Sequence, residues 1–275
     1  MDPYLLRGEE YNHTGSMTRM RIAVQQEIML RQVAYQIKRG PGGVGFEHRQ
    51  VKPEFFESIK NKYLQLKRDK KVGLEKSHAI GTYIKRADEG KEVALHTLDR
   101  DYNAKLGNFF LPAMQQWAKI PIAKENIVYG FRTYKTSAWL GNHVDVPKSH
   151  VFGISLCIED NTDEPWPLYI EGRDEKQYWV NLTPGHFIIY ESALLRHGRP
   201  IPLKGDSYTG IYFHYKPEGW GVTNELVNQH YHKMMNSMDD TCGKRRDDPR
   251  GYTKNRKKRI NISVNNSDVK VQQKI

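Results

Sequence analysis

Three residues of this sequence could together bind a metal ion: His143, Asp145 and, fifty-four positions after His143, His197. In a β-strand, residues i and i+2 point to the same face, so an extended His143-Val144-Asp145 segment would present both side chains to one ion. A histidine from a neighbouring strand would complete a set of two histidines and one carboxylate. That set leaves three coordination positions open and favours non-haem Fe(II), which must also bind a co-substrate and O₂. Zinc uses the same ligand types but more often has four filled positions, or a single open one.

Further ordered features surround these residues. Tyr134 precedes His143 by nine positions, in the segment YKTSAWLGNHVD. The segment LTPGHFIIYESALLRHGRP leads into His197 through a Pro-Gly turn and an apolar stretch, and Gly205 follows eight positions later. With these features, residues 126–217 resemble the 2-oxoglutarate- and Fe(II)-dependent oxygenases, specifically the prolyl 4-hydroxylase-like branch of that family.

The resemblance implies a fold, a set of cofactors and a role for four residues. The fold would be a double-stranded β-helix, or jelly-roll, with the metal near the open end of the barrel. His143, Asp145 and His197 would bind Fe(II), and Tyr134 would hydrogen-bond a carboxylate of 2-oxoglutarate. The implied reaction is the oxidative decarboxylation of 2-oxoglutarate by O₂ to succinate and CO₂, coupled to hydroxylation of a C–H bond.

In one respect the sequence departs from the family pattern. The family usually has Lys or Arg nine or ten residues after the second histidine, where it pairs with the far carboxylate of 2-oxoglutarate; this chain has Asp206 and Ser207 there. A dianion in a semi-buried site still requires a cation. The nearest candidates are Arg199 and Lys204, and Arg199 is slightly favoured because its planar guanidinium suits a carboxylate. The next candidates are Arg132 and Lys135.

Hydrophobic periodicity predicts α-helices before the motif region and β-strands within it. Apolar residues recur at helical spacing over residues 17–38, 53–69 and 103–118, and a closing helix is predicted over 219–238. From Glu125 onward, short segments rich in β-branched and aromatic residues alternate with Gly, Pro, Asn and Asp, as in consecutive strands. We therefore predict an α+β fold in which N-terminal helices pack on a jelly-roll core.

Outside these motifs, the sequence gives weaker indications of structure and function. Residues 73–100 and 159–176 show no clear period and are predicted to be loops that could close over the site. Trp166 could border the mouth of the site and contact substrate. Three further histidines in strand segments are expected to have structural rather than metal-binding roles: His150, His186 and His214.

The net charge of +11 is concentrated near the C-terminus. Residues 241–275 contain eleven Lys and Arg against three Asp, with few large apolar residues. We predict a disordered basic tail that could contact nucleic acid or an acidic surface. The rest of the chain lacks a dense basic face interleaved with aromatic residues, so nucleic-acid contact is expected through the tail alone.

Composition narrows the class of protein. Two cysteines are too few for a disulfide scaffold in 275 residues, and no run of 18 apolar residues predicts a membrane span. Residues 1–16 lack the apolar segment of a secretory signal, so a cytoplasmic or nuclear location is favoured. The expected layout is a flexible N-terminus (1–16), an oxygenase domain (17–240) with helical support (17–124), jelly-roll core (about 125–217) and closing helix (219–238), and the tail (241–275).

Three hypotheses about function remain open at this stage. The resemblance favours hydroxylation of a prolyl residue in a peptide or protein. The second hypothesis is hydroxylation of a free amino acid or another small molecule. The third is a β-barrel binding protein that holds a metal without turnover, and its only support in the sequence is the lack of a basic residue at Asp206 and Ser207.

Overall fold

Two mainly antiparallel β-sheets form the centre of the molecule. The computed structural model of the chain describes residues 24–74, 84–85, 93–239 and 260–262. The first sheet contains seven strands, and every pairing in it is antiparallel. In spatial order they are β1 (Phe46–Gln50), β10 (His186–Tyr190), β7 (Phe152–Thr162), β12 (Gly205–Tyr215), β5 (Ile127–Lys135), β4 (Ala94–His96) and β2 (Gly73–Leu74).

The second sheet contains six strands. In spatial order they are β13 (Ile260–Ile262), β9 (Gln177–Val180), β8 (Leu168–Glu171), β11 (His197–Arg199), β6 (Trp139–His143) and β3 (Ile84–Lys85). All its pairings are antiparallel except that of β13 with β9, which is parallel. From β5 to β12 the chain passes repeatedly between the two sheets, and only β8 and β9 follow each other within one sheet.

The inner faces of the two sheets contact each other through large side chains. Arg199 on β11 donates a hydrogen bond to the hydroxyl of Tyr208 on β12. The ring of His197 lies 4.8 Å, between centroids, from that of Tyr190 on β10. Phe187 on β10 and Phe213 on β12 face the other way and contact a helix instead. The space between the sheets is therefore lined by polar and aromatic groups.

Five α-helices are described, and the third and fourth of them pack on the outer face of the seven-stranded sheet. α1 (24–31) and α2 (Val33–Gln36) are separated at Gln32, followed by α3 (Pro53–Arg68), α4 (Arg100–Ala118) and α5 (Asn224–Asp239). On α4, Phe110 packs against Phe187 of β10 and Phe213 of β12. The predicted helix over 53–69 is confirmed, and its buried residues recur every three or four positions: Phe56, Ile59, Tyr63 and Leu66.

The structure corrects several predictions of secondary structure. Part of the predicted loop over 73–100 forms β2, β3 and β4, and the rest of 75–92 lies outside the described residues. Residues 159–162 and 168–171 of the predicted loop over 159–176 belong to β7 and β8, which leaves 163–167 and 172–176 outside the strands. The predicted helix over 17–38 is described from residue 24 and breaks at Gln32, whose backbone is extended. The mixed helix and antiparallel-sheet class is confirmed.

Only a short part of the predicted basic tail is described. Ile260–Ile262 pairs with β9, so these three residues depart from the expectation of a tail without secondary structure. The remainder of 241–275 lies outside the described residues, as does the predicted flexible N-terminus. None of the helices in the described ranges combines the length and apolarity that a membrane crossing requires.

Gly205, the turn glycine of the sequence motif, has a conformation that other residues rarely adopt. Its φ is +109°, and a Cβ at this position would lie 2.6 Å from the backbone nitrogen of Asp163. We expect Gly205→Ala to lower the free energy of unfolding by about 1–3 kcal/mol, measured by urea denaturation. Gly219→Ala is the matched control, because Gly219 has φ +67° but open space around it. Equal losses in both variants would show that the close backbone approach has no energetic effect.

Candidate metal centre

Two histidines stand opposite each other on neighbouring strands. His143 is the last residue of β6, His197 is the first of β11, and the antiparallel register pairs them directly. Asp145 lies two residues beyond the end of β6, where its backbone N–H donates a 2.8 Å hydrogen bond to the carbonyl of Ser192. The premise that His143 and Asp145 share one strand is therefore wrong, because β6 ends at His143. The turn after β6 nevertheless brings the three side chains together.

Backbone hydrogen bonds orient both imidazoles. Nδ1 of His143 is 2.7 Å from the carbonyl oxygen of Gly141, and Nδ1 of His197 is 2.8 Å from that of Leu195. A carbonyl can only accept, so each Nδ1 carries the proton. This arrangement fixes the tautomer and ring direction, as the outer partners of metal-binding histidines usually do. Each Nε2 is thereby directed toward Asp145.

The three ligand atoms are close enough to share one ion. Oδ1 of Asp145 lies 3.5 Å from Nε2 of His143 and 3.8 Å from Nε2 of His197. Two atoms that are each about 2.1 Å from one metal can be separated by up to about 4.2 Å, so both distances fit. Within the described ranges, no other group of three such residues brings its ligand atoms this close. The donor set, two imidazole nitrogens and one carboxylate oxygen, is the facial set that suits Fe(II).

The protonation states also suit metal binding. Burial raises the pKa of Asp145, but the neighbouring imidazoles of His143, His197 and His214 outweigh it and hold this pKa well below its usual range. Burial, reinforced by His143, lowers the pKa of His197 to about 4. At pH 7 the carboxyl group is therefore ionised and the His197 ring is neutral, as ligands must be.

His214 belongs to the surroundings of the centre, although its sequence context predicts only a structural role. Its Nε2 lies 3.7 Å from Oδ2 of Asp145, the oxygen turned away from the other two histidines. That oxygen is buried and has no hydrogen-bond partner among the described residues. Behind His214, the ring of His150 is 4.1 Å away, and Nε2 of His150 is 2.8 Å from the hydroxyl of the exposed Tyr129. No spacing rule links His214 to Asp145, because β12 reaches the site only through the fold.

A buried cation lies two residues from His197. The side chain of Arg199 is 1% exposed, and its guanidinium donates to the backbone carbonyl of Trp166 and, at 2.8 Å, to the hydroxyl of Tyr208. It lies 4.7 Å and 4.2 Å from the centroids of those two rings. Among the described residues, no carboxylate lies within ion-pair distance of Arg199. A buried guanidinium without a counter-ion is costly, so this pocket favours an anion.

Tyrosine hydroxyls line the same pocket. Tyr134 is buried, its ring packs edge-on against that of Trp166, and its hydroxyl is 3.5 Å from the hydroxyl of Tyr212. Tyr190, which no feature of the sequence singles out, has its hydroxyl 3.5 Å from Nε2 of His197. Trp166 is 2% exposed and packs against the rings of Tyr134 and Tyr208, so it is not an exposed border of the mouth.

The structure separates the two cations that the sequence leaves as alternatives. Lys204 is exposed and forms a 3.0 Å ion pair with Glu164, outside the space between the sheets. Arg199 is inside it. Ser207 is buried beside Asn161, and the exposed Asp206 offers no positive charge. The geometry therefore brings together five of the six predicted site residues: His143, Asp145, His197, Tyr134 and Arg199.

The comparisons with known proteins concern the fold. No family model and no curated protein matches the chain. A prolyl-4-hydroxylase from Pseudomonas putida is similar at 12% identity and a TM-score of 0.46, covering 63% of this chain and 93% of that one. A prolyl hydroxylase from Trichoplax adhaerens, in complex with a hypoxia inducible factor oxygen degradation domain peptide fragment, is similar at 10% identity and a TM-score of 0.49. The match covers 71% of this chain and 91% of that one.

A third similar structure is an oxidoreductase of the 2OG-Fe(II) oxygenase family from Burkholderia pseudomallei. Its identity is 14% and its TM-score 0.45, covering 74% of this chain and 90% of that one. These similar structures are thus oxygenases and hydroxylases. Likeness at this level carries no argument about function, which has to come from the site itself.

Proposed function

We propose that this protein is an Fe(II)- and 2-oxoglutarate-dependent dioxygenase that hydroxylates a C–H bond. The observation that carries the proposal is the meeting of two histidine nitrogens and one carboxylate oxygen beside a buried arginine that has no counter-ion among the described residues. The first set suits a metal with open positions. The second feature suits an anionic co-substrate bound next to that metal.

The strand order is consistent with the jelly-roll that the sequence predicts. Strands β5, β12, β7 and β10 form the middle of one sheet, and β6, β11, β8 and β9 form most of the other. Eight strands divided in this way between two facing sheets correspond to a double-stranded β-helix. In that fold the metal ligands would come from one sheet and the co-substrate pocket would extend between both.

Each site residue has a defined task in this proposal. His143, Asp145 and His197 would hold Fe(II), whose chemistry when bound is activation of O₂ together with 2-oxoglutarate. Arg199 would pair with the far carboxylate of 2-oxoglutarate, and the Tyr134 hydroxyl would donate a hydrogen bond to it. The packed rings of Trp166 and Tyr208 exclude water from this charge pair and thereby strengthen it.

Arg199 is expected to determine the affinity for 2-oxoglutarate. Arg199→Ala should weaken binding by roughly 2–4 kcal/mol, because a buried carboxylate would be left unpaired. The measurement is a calorimetric titration of 2-oxoglutarate into protein loaded with Mn(II), and Lys204→Ala is the matched control. Unchanged affinity in Arg199→Ala would place the anchor elsewhere, with Arg132 as the next candidate because its guanidinium lies 3.5 Å from the Tyr134 hydroxyl.

For the second substrate we propose a prolyl residue in a peptide or protein. Two exposed side chains next to the centre support a substrate that covers it from outside: Val146, which follows Asp145, is 47% exposed, and Tyr129 is 44% exposed. The choice of a prolyl residue rests on the resemblance of residues 126–217 to the prolyl 4-hydroxylase-like oxygenases. A free amino acid or small molecule is the second candidate, and contact with nucleic acid or an acidic surface through the tail remains a prediction.

One experiment distinguishes an enzyme from a binding protein. We expect succinate to form from 2-oxoglutarate only when Fe(II) and O₂ are both present, and to form faster when the substrate is added. Mass spectrometry of candidate peptides should then show the gain of one oxygen atom. If the protein binds metal and 2-oxoglutarate but forms no succinate with any addition, the non-catalytic binding protein is the better hypothesis.

A further inference from the structure

The two segments that carry Asp145 and His197 are joined by one side chain from outside the sheets. Gln25, near the start of the described part of α1, donates from its Nε2 to the carbonyl of Asp145 and, at 3.2 Å, to the carbonyl of Ala193. These contacts span 120 and 168 positions of sequence. A primary amide has two N–H groups, so one side chain can serve both carbonyls.

The second of these carbonyls belongs to the segment that orients His197. Residues 191–195 lie in the connection between β10 and β11, and the carbonyl of Leu195 accepts the hydrogen bond from Nδ1 of His197. The same segment receives the backbone N–H of Asp145 at the carbonyl of Ser192. Its position therefore affects the direction of His197 and the separation of His197 from Asp145.

Packing of helix α1 fixes the position of Gln25. Its apolar side chains Val24, Ile28 and Met29 are at most 3% exposed, so the helix is anchored on the body. The next residue, Gln26, donates a 2.8 Å hydrogen bond to the carbonyl of Leu194, in the same connecting segment. Gln26 therefore contacts only the segment before His197, whereas Gln25 contacts both that segment and Asp145.

We propose that Gln25 is a positioning residue of the metal centre, which sets the distance between the Asp145 and His197 ligand atoms. This inference rests on the proposed function, because it assigns to α1 a role in the site described above. The metal centre would then depend on the N-terminal helix as well as on the barrel. Outer partners that orient metal ligands typically affect metal affinity by roughly 10- to 100-fold.

The test compares two neighbouring glutamines. Gln25→Met and Gln26→Met keep the length of the side chain and remove its donors, and Co(II) is used as an oxygen-stable probe with visible absorption. We expect Gln25→Met to bind Co(II) roughly 10-fold or more weakly than the parent and to shift its absorption bands, which report coordination geometry. Gln26→Met should change both quantities much less. Thermal unfolding of the metal-free proteins separates these effects from a general loss of stability.

Different results of this test would contradict the role of Gln25 or the proposed function. Equal Co(II) affinity and spectra in the parent and Gln25→Met would overturn the proposal, as would equal losses in the two variants. Should Gln25→Met fail to fold, Gln25→Glu tests the same point, because it replaces the amide donor with an acceptor facing two carbonyls and should weaken Co(II) binding further. Absence of Co(II) binding by the parent would overturn the proposed function, and the role of Gln25 with it.

Discussion

Asp145→Ala is expected to abolish Fe(II)-dependent turnover of 2-oxoglutarate and to leave the protein folded. Turnover is lost because the carboxylate is the only anionic member of the ligand set and lies between the two imidazoles. The fold should persist because the pKa of His197 is about 4 and that of His214 about 3, so these rings are neutral at pH 7. Removing Asp145 therefore leaves neither of them as an unpaired buried charge.

The measurements for this variant are succinate formation and thermal unfolding. Asp174→Ala is the matched control, because Asp174 lies in the turn between β8 and β9 and pairs with Lys176 instead of a metal ligand. We expect parental turnover in the control. Full turnover by Asp145→Ala would show that the metal is held elsewhere.

Glu191→Ala is expected to lower the free energy of unfolding by about 3–5 kcal/mol. Glu191 is fully buried and binds two arginines: Arg39 at 2.6 Å and Arg173 at 2.5 Å. Arg39 is also fully buried and donates to the carbonyl of Ala118 at the end of α4. Without the carboxylate, the buried Arg39 guanidinium would lose the negative charge of Glu191, and the links between the helices and the segment before His197 would weaken.

Denaturant unfolding of Glu191→Ala measures this loss directly. Glu164→Ala breaks the exposed ion pair with Lys204, in which both side chains are more than 60% exposed, and should cost no more than about 1 kcal/mol. A similar small loss in both variants would mean that the Glu191 cluster does not stabilise the fold. Weaker metal binding by Glu191→Ala would further indicate that the cluster also holds the 191–195 segment.

The sequence predicted best those features that depend on local pattern. The helix Pro53–Arg68 follows from apolar spacing, and the grouping of the His143, Asp145 and His197 side chains follows from residue types within a recognisable motif. The reason that His143 and Asp145 converge was predicted wrongly, because the end of a strand is set by its pairing with neighbours. The direct pairing of His143 with His197 depends on how β6 and β11 align, which is a long-range property.

Features that depend on distant contacts could not be predicted. Arg199 and Lys204 are both close to His197 in sequence. Only the fold shows that Arg199 is buried and Lys204 exposed. The contact of Gln25 with Asp145 joins residues 120 positions apart and leaves no periodic trace. The short strands Gly73–Leu74 and Ala94–His96 are likewise formed by pairing, since two or three residues are too few for a period.

The central claim is that one centre binds a metal and 2-oxoglutarate together. The most direct test is a titration of 2-oxoglutarate, without O₂, into the metal-free protein and into the protein loaded with Mn(II). We predict saturable binding of one 2-oxoglutarate per chain in the loaded protein and much weaker binding in the metal-free protein, because only Arg199 and Tyr134 would then hold the ligand. Equal binding with and without metal, or no binding in either case, would contradict the account.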